Sequence, residues 1–248
     1  MNYVLTFKQF LQNPTGPYSA YFGKRVEIIN NLENRFSKLL SSRMKDFTCK
    51  LYKEKEDYYF HVTVPSETFK EITYDIVVKL TPSNDACKSE SSLFNYKCQF
   101  FSNSPAFVFT YAYVFNKDGN LINFLSNKIS AKALKEEPNI KNPVQIYGYE
   151  KSLYFAMLYI KYKFYHIKTN ILSLQKTLNK KELLKNIDHS DKKLAEYQKY
   201  KKIEAINKKA EKEKEKQQKQ KEKLKKQKEK ERKNKKISNK VIKPKKKI

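Results

Sequence analysis

Apolar residues recur at three-and-four spacing through Phe22, Val26, Ile29, Leu32, Phe36, Leu39 and Leu40, with Lys24, Asn31, Glu33 and Lys38 between them. That spacing predicts a helix over 20–42 with one buried face, entered from the turn-forming Asn13-Pro14-Thr15-Gly16-Pro17. From Phe47 the period shortens to two. Phe47, Cys49 and Leu51, then Tyr58, Phe60, Val62 and Val64, flank the charged stretch Lys53–Asp57 and read as a β-hairpin closed at Pro65. Three further alternating runs follow: Ile72 to Leu80, Tyr96 to Phe100, and Phe107, Phe109, Tyr111, Tyr113 and Phe115. Turns or modest loops join these five runs, with no crossover helix between them, which predicts an antiparallel meander. Residues 120–148 are irregular, with one short helix expected near Ser130–Glu137.

Leu153, Met157, Ile160, Phe164, Ile167, Ile171, Leu174 and Leu178 step by four and three over nearly four heptads. The spacing predicts a long amphipathic helix over 149–186 whose stripe packs on the protein's own body or pairs with a second copy. Asn186, Asp188 and Ser190 cluster helix-capping residue types and predict a break there. Residues 191–236 hold no glycine or proline and are rich in Lys, Glu, Gln and Ala, which predicts a solvated helix. From Lys235 onward uncompensated charge and Pro244 predict disorder. The expected fold class is therefore α+β: a body (1–148) built on a meander of about five strands against the first helix, the heptad helix (149–186), and a basic tail (187–248).

Charge changes the picture most. The 248 residues hold 53 Lys+Arg and 26 Asp+Glu, a formal net charge of +27. Residues 191–248 hold 26 basic and nine acidic residues, so they carry +17 of that total. A flexible run of this kind attracts phosphate backbones by counterion release, without reading sequence. Its cations are lysines apart from Arg232, which favours diffuse neutralisation over bidentate recognition. The expected contacts are Lys221, Lys223, Lys225, Lys226, Lys228, Lys230, Arg232, Lys233, Lys235, Lys236, Lys240, Lys243, Lys245, Lys246 and Lys247. Tyr52, Tyr59 and Phe101 lie out of phase with their strands' apolar sets and are the candidates for base stacking; a filled core is the competing reading.

Other chemistry finds little footing. Four glycines, Gly16, Gly23, Gly119 and Gly148, cannot spell a dinucleotide or phosphate loop. Cys49, Cys87 and Cys98 have neither disulfide-framework nor metal-clip spacing, and His61, His166 and His189 form no ligand motif, so no metal or cofactor is expected and a reducing compartment is. Glu54, Glu56 and Asp57 occupy a charged turn and do not make a catalytic pair. The first residues lack a signal-peptide pattern, and the longest apolar run, Leu153 to Ile160, is too short to span a bilayer, so no membrane partner is expected.

Three stretches carry a resemblance: Phe7-Lys8-Gln9-Phe10-Leu11-Gln12-Asn13-Pro14-Thr15-Gly16, Phe100 to Tyr113 (FFSNSPAFVFTYAY), and Tyr149-Glu150-Lys151-Ser152-Leu153-Tyr154-Phe155. Over roughly residues 7–165 the chain resembles uncharacterised structural proteins of tailed bacteriophages. The resemblance implies a virion or virion-assembly setting in a bacterial host cytoplasm, with other virion proteins as partners, and supplies no functional residues. The expectation is a non-enzymatic phage structural or assembly protein that contacts nucleic acid through its tail. The alternatives are an oligomeric scaffold built on the 153–178 stripe and a nucleic-acid-processing enzyme whose site is unidentified.

Overall fold

The computed structural model describes residues 6–12, 25–82, 95–138, 150–166 and 176–241. The chain divides into two units, Met1–Tyr197 and Gln198–Ile248. In the first, the period-two runs pair as their alternation requires. Strands β1 (Thr48–Glu54) and β2 (Asp57–Pro65) form the hairpin, and β3 (Thr73–Thr81) and β4 (Lys97–Ser102) continue it antiparallel. The two-residue turn puts Lys55 at φ 55°, a left-handed conformation usually given to glycine.

The fifth strand is not the one expected. Phe107–Phe115 forms two short helices, α3 (Pro105–Thr110) and α4 (Ala112–Lys117). Phe107, Tyr111 and Phe115 fit a period of two and a period of four equally well. Phe109 decides between them: in a strand it would share their buried face, yet it is 46% exposed. The helical choice is made locally, because Ser104 Oγ accepts the Phe107 N–H at 3.2 Å and Pro105 occupies the first turn, where a missing N–H costs nothing. The sheet's fifth strand is β5 (Lys176–Thr177), parallel to β1, giving a mixed sheet in the order β4-β3-β2-β1-β5.

One sheet face carries Leu51, Phe60, Val62, Ile76, Val78, Leu80 and Phe100, all buried. Helices α1 (Phe7–Gln12), α2 (Arg25–Arg43) and α6 (Lys151–His166) belong to this side. The Phe10 and Phe100 rings lie 4.3 Å apart, and Phe36 meets Phe47 at 6.0 Å and Phe155 at 5.8 Å. The predicted first helix is thus observed, its described part beginning at Arg25. The outer edge of the sheet is also closed, since Phe7 N–H donates to Tyr96 O and Phe100 pairs with Leu121.

The 149–186 segment is not one heptad helix. Helix α6 holds Leu153, Met157 and Ile160, residues 167–175 lie outside the described part, β5 follows, and α7 (Lys180–Asn186) is a separate helix. Residues 152–160 are buried on every side of α6, so the stripe has no free seam at that end. Leu153, Met157 and Ile160 fill the protein's own core. Leu178 is part of the sheet edge, its N–H donating to Lys53 O at 2.9 Å. Phe164 lies in the last turns of α6, and Ile167, Ile171 and Leu174 lie outside the described residues.

The opposite sheet face is covered too. A 3-10 turn (Asn123–Lys128) and α7 lie over Tyr52 and Tyr59, with the Phe124 ring 6.0 Å from that of Tyr59 and the Lys180 ammonium 5.4 Å from the centroid of Phe124. Lys180 Nζ is also 2.8 Å from Glu54. The expected short helix appears as α5 (Ala131–Lys135). The predicted break falls between α7 and α8 (Ser190–Val241).

Candidate nucleic-acid interface

Helix α8 forms because nothing in Ser190–Val241 opposes it: no glycine, no proline, and long unbranched side chains almost throughout. Its 52 residues give a rod about 78 Å long at 1.5 Å per residue. Glu204 accepts from Lys208 at 2.5 Å in the favourable i, i+4 order.

The beginning of the helix belongs to the first unit and is held by a partly buried polar cluster. His61 Nε2 lies 3.0 Å from Asp75 Oδ1. Asn103 Nδ2 donates to Asp75 Oδ2 at 3.0 Å and to the main-chain carbonyl of Asp188 at 3.2 Å, while its Oδ1 accepts the Asp75 N–H at 2.8 Å. The Asp188 carboxylate receives Lys192 at 2.7 Å and Lys193 at 3.0 Å. Burial pushes its pKa up, but the two lysines outweigh burial and hold it below the ordinary carboxylate range. Lys193 is almost fully enclosed: burial alone would lower its pKa, yet hydrogen bonds to Asp188 and Glu196 leave it raised. The Ser130 N–H donates to Ser190 Oγ, and the Tyr197 ring packs 5.4 Å from Phe69. Lys193 is therefore committed to the fold, whereas Lys192 makes a solvent-exposed pair with Asp188, and the second compact unit begins at Gln198.

No sequence signal identified this cluster beyond the capping residues at 186–190. Asn103 and Asp188 are 85 positions apart, and a turn asparagine carries no mark of its distant partner.

The predicted nucleic-acid contacts fall into three groups. Lys221, Lys223, Lys225, Lys226, Lys228 and Lys230 are exposed on α8. Arg232, Lys233, Lys235, Lys236 and Lys240 continue the same helix, which runs through Val241 where disorder was expected from Lys235. Lys243, Lys245, Lys246 and Lys247 lie outside the described residues. Between Gln198 and Ile248 the sequence holds 24 Lys/Arg and seven Asp/Glu. Even complete one-to-one pairing within the unit leaves most of these cations without an acidic partner. At 100° per residue the lysines surround most of the rod, while Glu215, Glu222 and Glu229 repeat every seven residues along one line. Such a surface neutralises a polyanion without fixing its register.

The three stacking candidates are not available. Tyr52, Tyr59 and Phe101 are buried beneath the second layer, because this sheet is covered on both faces and its out-of-phase aromatics form a second core. Burial and neighbouring carboxylates also raise the Tyr59 hydroxyl pKa far above its ordinary value.

Among the described residues, no group of three His, Cys, Asp or Glu is placed to hold a metal ion, and no helix is long and apolar enough to cross a membrane. In comparison with known proteins, the chain matches no family model, no curated protein and no solved structure.

Proposed function

We propose that this protein binds nucleic acid electrostatically and without sequence selectivity through residues 198–248, serving as a structural or assembly component of a phage particle. What supports the reading is one observation: from Lys201 to Lys230 the described side chains of α8 are exposed, apart from the half-buried Glu204, and lysine dominates them. The virion setting comes from the resemblance over residues 7–165. In this role the folded body gives shape and a point of attachment, and the rod gives attraction to the phosphate backbone. Ammonium groups suit that task, since each offers a hydrated point charge on a flexible stem.

The test is binding of unrelated duplex DNA and RNA at several salt concentrations by the full chain and by a form ending at Tyr197. The full chain should bind both, with log K falling linearly in log salt at a slope of about −0.9 for each duplex phosphate neutralised. The shortened form should lose that binding while keeping its thermal transition. Equal affinity of the two forms at low salt overturns the proposal.

A further inference from the structure

Helix α8 carries a second pattern, laid out on heptad positions. Starting from Ile203 as position a, the a and d positions run through Ile203, Ile206, Ala210, Glu213, Gln217, Gln220 and Leu224, and the same steps reach Val241 by way of Gln227, Glu231, Asn234 and Ser238. None of these twelve positions is Lys or Arg, although 17 of the 39 residues from Ile203 to Val241 are. A solvated charge run has no reason to keep cations off one line of a helix. The exposed apolar residues fall on the same line: Ile203, Ile206 and Leu224 are 42%, 65% and 56% exposed.

The e and g positions flank this seam, and lysine fills nearly all of them. Lys214, Lys221 and Lys228 stand on one side, and Lys209, Lys216, Lys223 and Lys230 on the other. Glu215, Glu222 and Glu229 occupy position f, on the far side of the helix. In a heptad pairing the e and g residues of the two helices meet across the seam. A second copy would set lysine rows against lysine rows in either orientation, so the chain is a poor partner for itself. Phosphate is a poor occupant as well, because the seam offers it apolar groups and the carboxylate of Glu213.

We propose that α8 docks an acidic amphipathic α-helix of another protein, whose apolar a and d positions pack on Ile203, Ile206 and Leu224 and whose Glu or Asp e and g positions meet the two lysine rows. The proposal stands on the apolar seam and not on nucleic-acid binding, but it uses the same lysines, so bound helix and bound nucleic acid exclude each other.

The test uses two synthetic peptides of four heptads with identical composition. One has Leu at a and d and Glu at e and g; the other has the same residues permuted off the heptad. Binding is followed by fluorescence anisotropy at physiological salt with the full chain and with the charge-neutral double variant Ile206→Gln/Leu224→Gln, both sites being exposed and circular dichroism checking that the helix persists. The heptad peptide should form a one-to-one complex, the permuted peptide should bind at least about tenfold more weakly, and the double variant should lose the preference while its affinity for duplex DNA stays unchanged. Equal binding of both peptides means that charge alone acts and overturns the proposal, as does no binding of either. It falls equally if light scattering shows a self-association abolished by the double variant, or if that variant loses DNA affinity in parallel. The DNA arm uses the full chain without peptide, so failure here and failure of the nucleic-acid reading are separate results.

Discussion

The side-chain amide of Asn103, just beyond the end of β4, donates at 3.2 Å to the backbone carbonyl of Asp188, two residues before α8. The same asparagine extends the β3–β4 pairing, since it exchanges main-chain and side-chain bonds with Asp75. One residue thus ties the sheet to the origin of the basic helix. Replacing Asn103 with Ala leaves the Asp75 N–H and the Asp188 carbonyl short of partners in a partly buried site. The expected cost is about 2–3 kcal/mol in urea denaturation, with faster hydrogen exchange at the amides of 190–194. Wild-type exchange there would show that the anchor lies elsewhere.

Ile160 tests the correction to the heptad reading. It is 2% exposed and lies in α6, within the protein's own core. Ile160→Asp should therefore abolish the cooperative thermal transition, because an unpaired carboxylate buried in apolar surroundings costs more than a small domain can absorb. A folded variant whose only change is a smaller mass in light scattering would return the stripe to an intersubunit role.

Acid sensitivity should be traceable to Glu67. Arg35 donates to its two carboxylate oxygens at 2.9 and 2.5 Å, and Lys151 adds a third bond, linking α2, the β2–β3 loop and α6. The Arg35 bonds outweigh partial burial and, with Lys151, lower the Glu67 pKa from 4.5 to about 2. Because the folded pKa lies below the unfolded one, the stabilisation is complete above pH 4.5 and is lost as pH falls toward 2. Glu67→Gln should cost about 1 kcal/mol at neutral pH, a modest figure because the cluster is partly solvated. The gap between wild type and variant should close across that acid window, as measured by denaturation at stepped pH. A gap that persists unchanged at pH 2 contradicts the assignment.

Lys55 holds its left-handed conformation in the hairpin turn at a steric cost that glycine does not incur. Lys55→Gly should raise stability by about 0.5–1 kcal/mol, net of the added freedom of the unfolded chain. Calorimetry should register this as a higher transition temperature.

Strands β1 to β4 were legible because turn residues bound them and one face of each carries continuous apolar side chains, as in Phe60, Val62 and Val64. The residues at 107, 111 and 115 were not, since their spacing satisfies two periods at once and only the Ser104 cap and the exposure of Phe109 choose between them. The out-of-phase aromatics Tyr52, Tyr59 and Phe101 looked open to solvent for a related reason. Alternation records that a strand has two faces, not whether both are covered, and here the cover comes from residues 123–128 and 180–186, far along the chain.

Local properties, then, followed from sequence alone: helix and strand periods, the break at 186–190, and the concentration of positive charge beyond residue 190 depend on near neighbours and on composition. Tertiary structure decided the rest. It buried Leu153, Met157 and Ile160 from all sides, turned 176–177 into a parallel edge strand, and enclosed Lys193 beside Asp188 while leaving Lys221 to Lys230 in solvent. Each of those outcomes depends on which distant surface excludes water from a given side chain, and that is fixed only when the whole chain has packed.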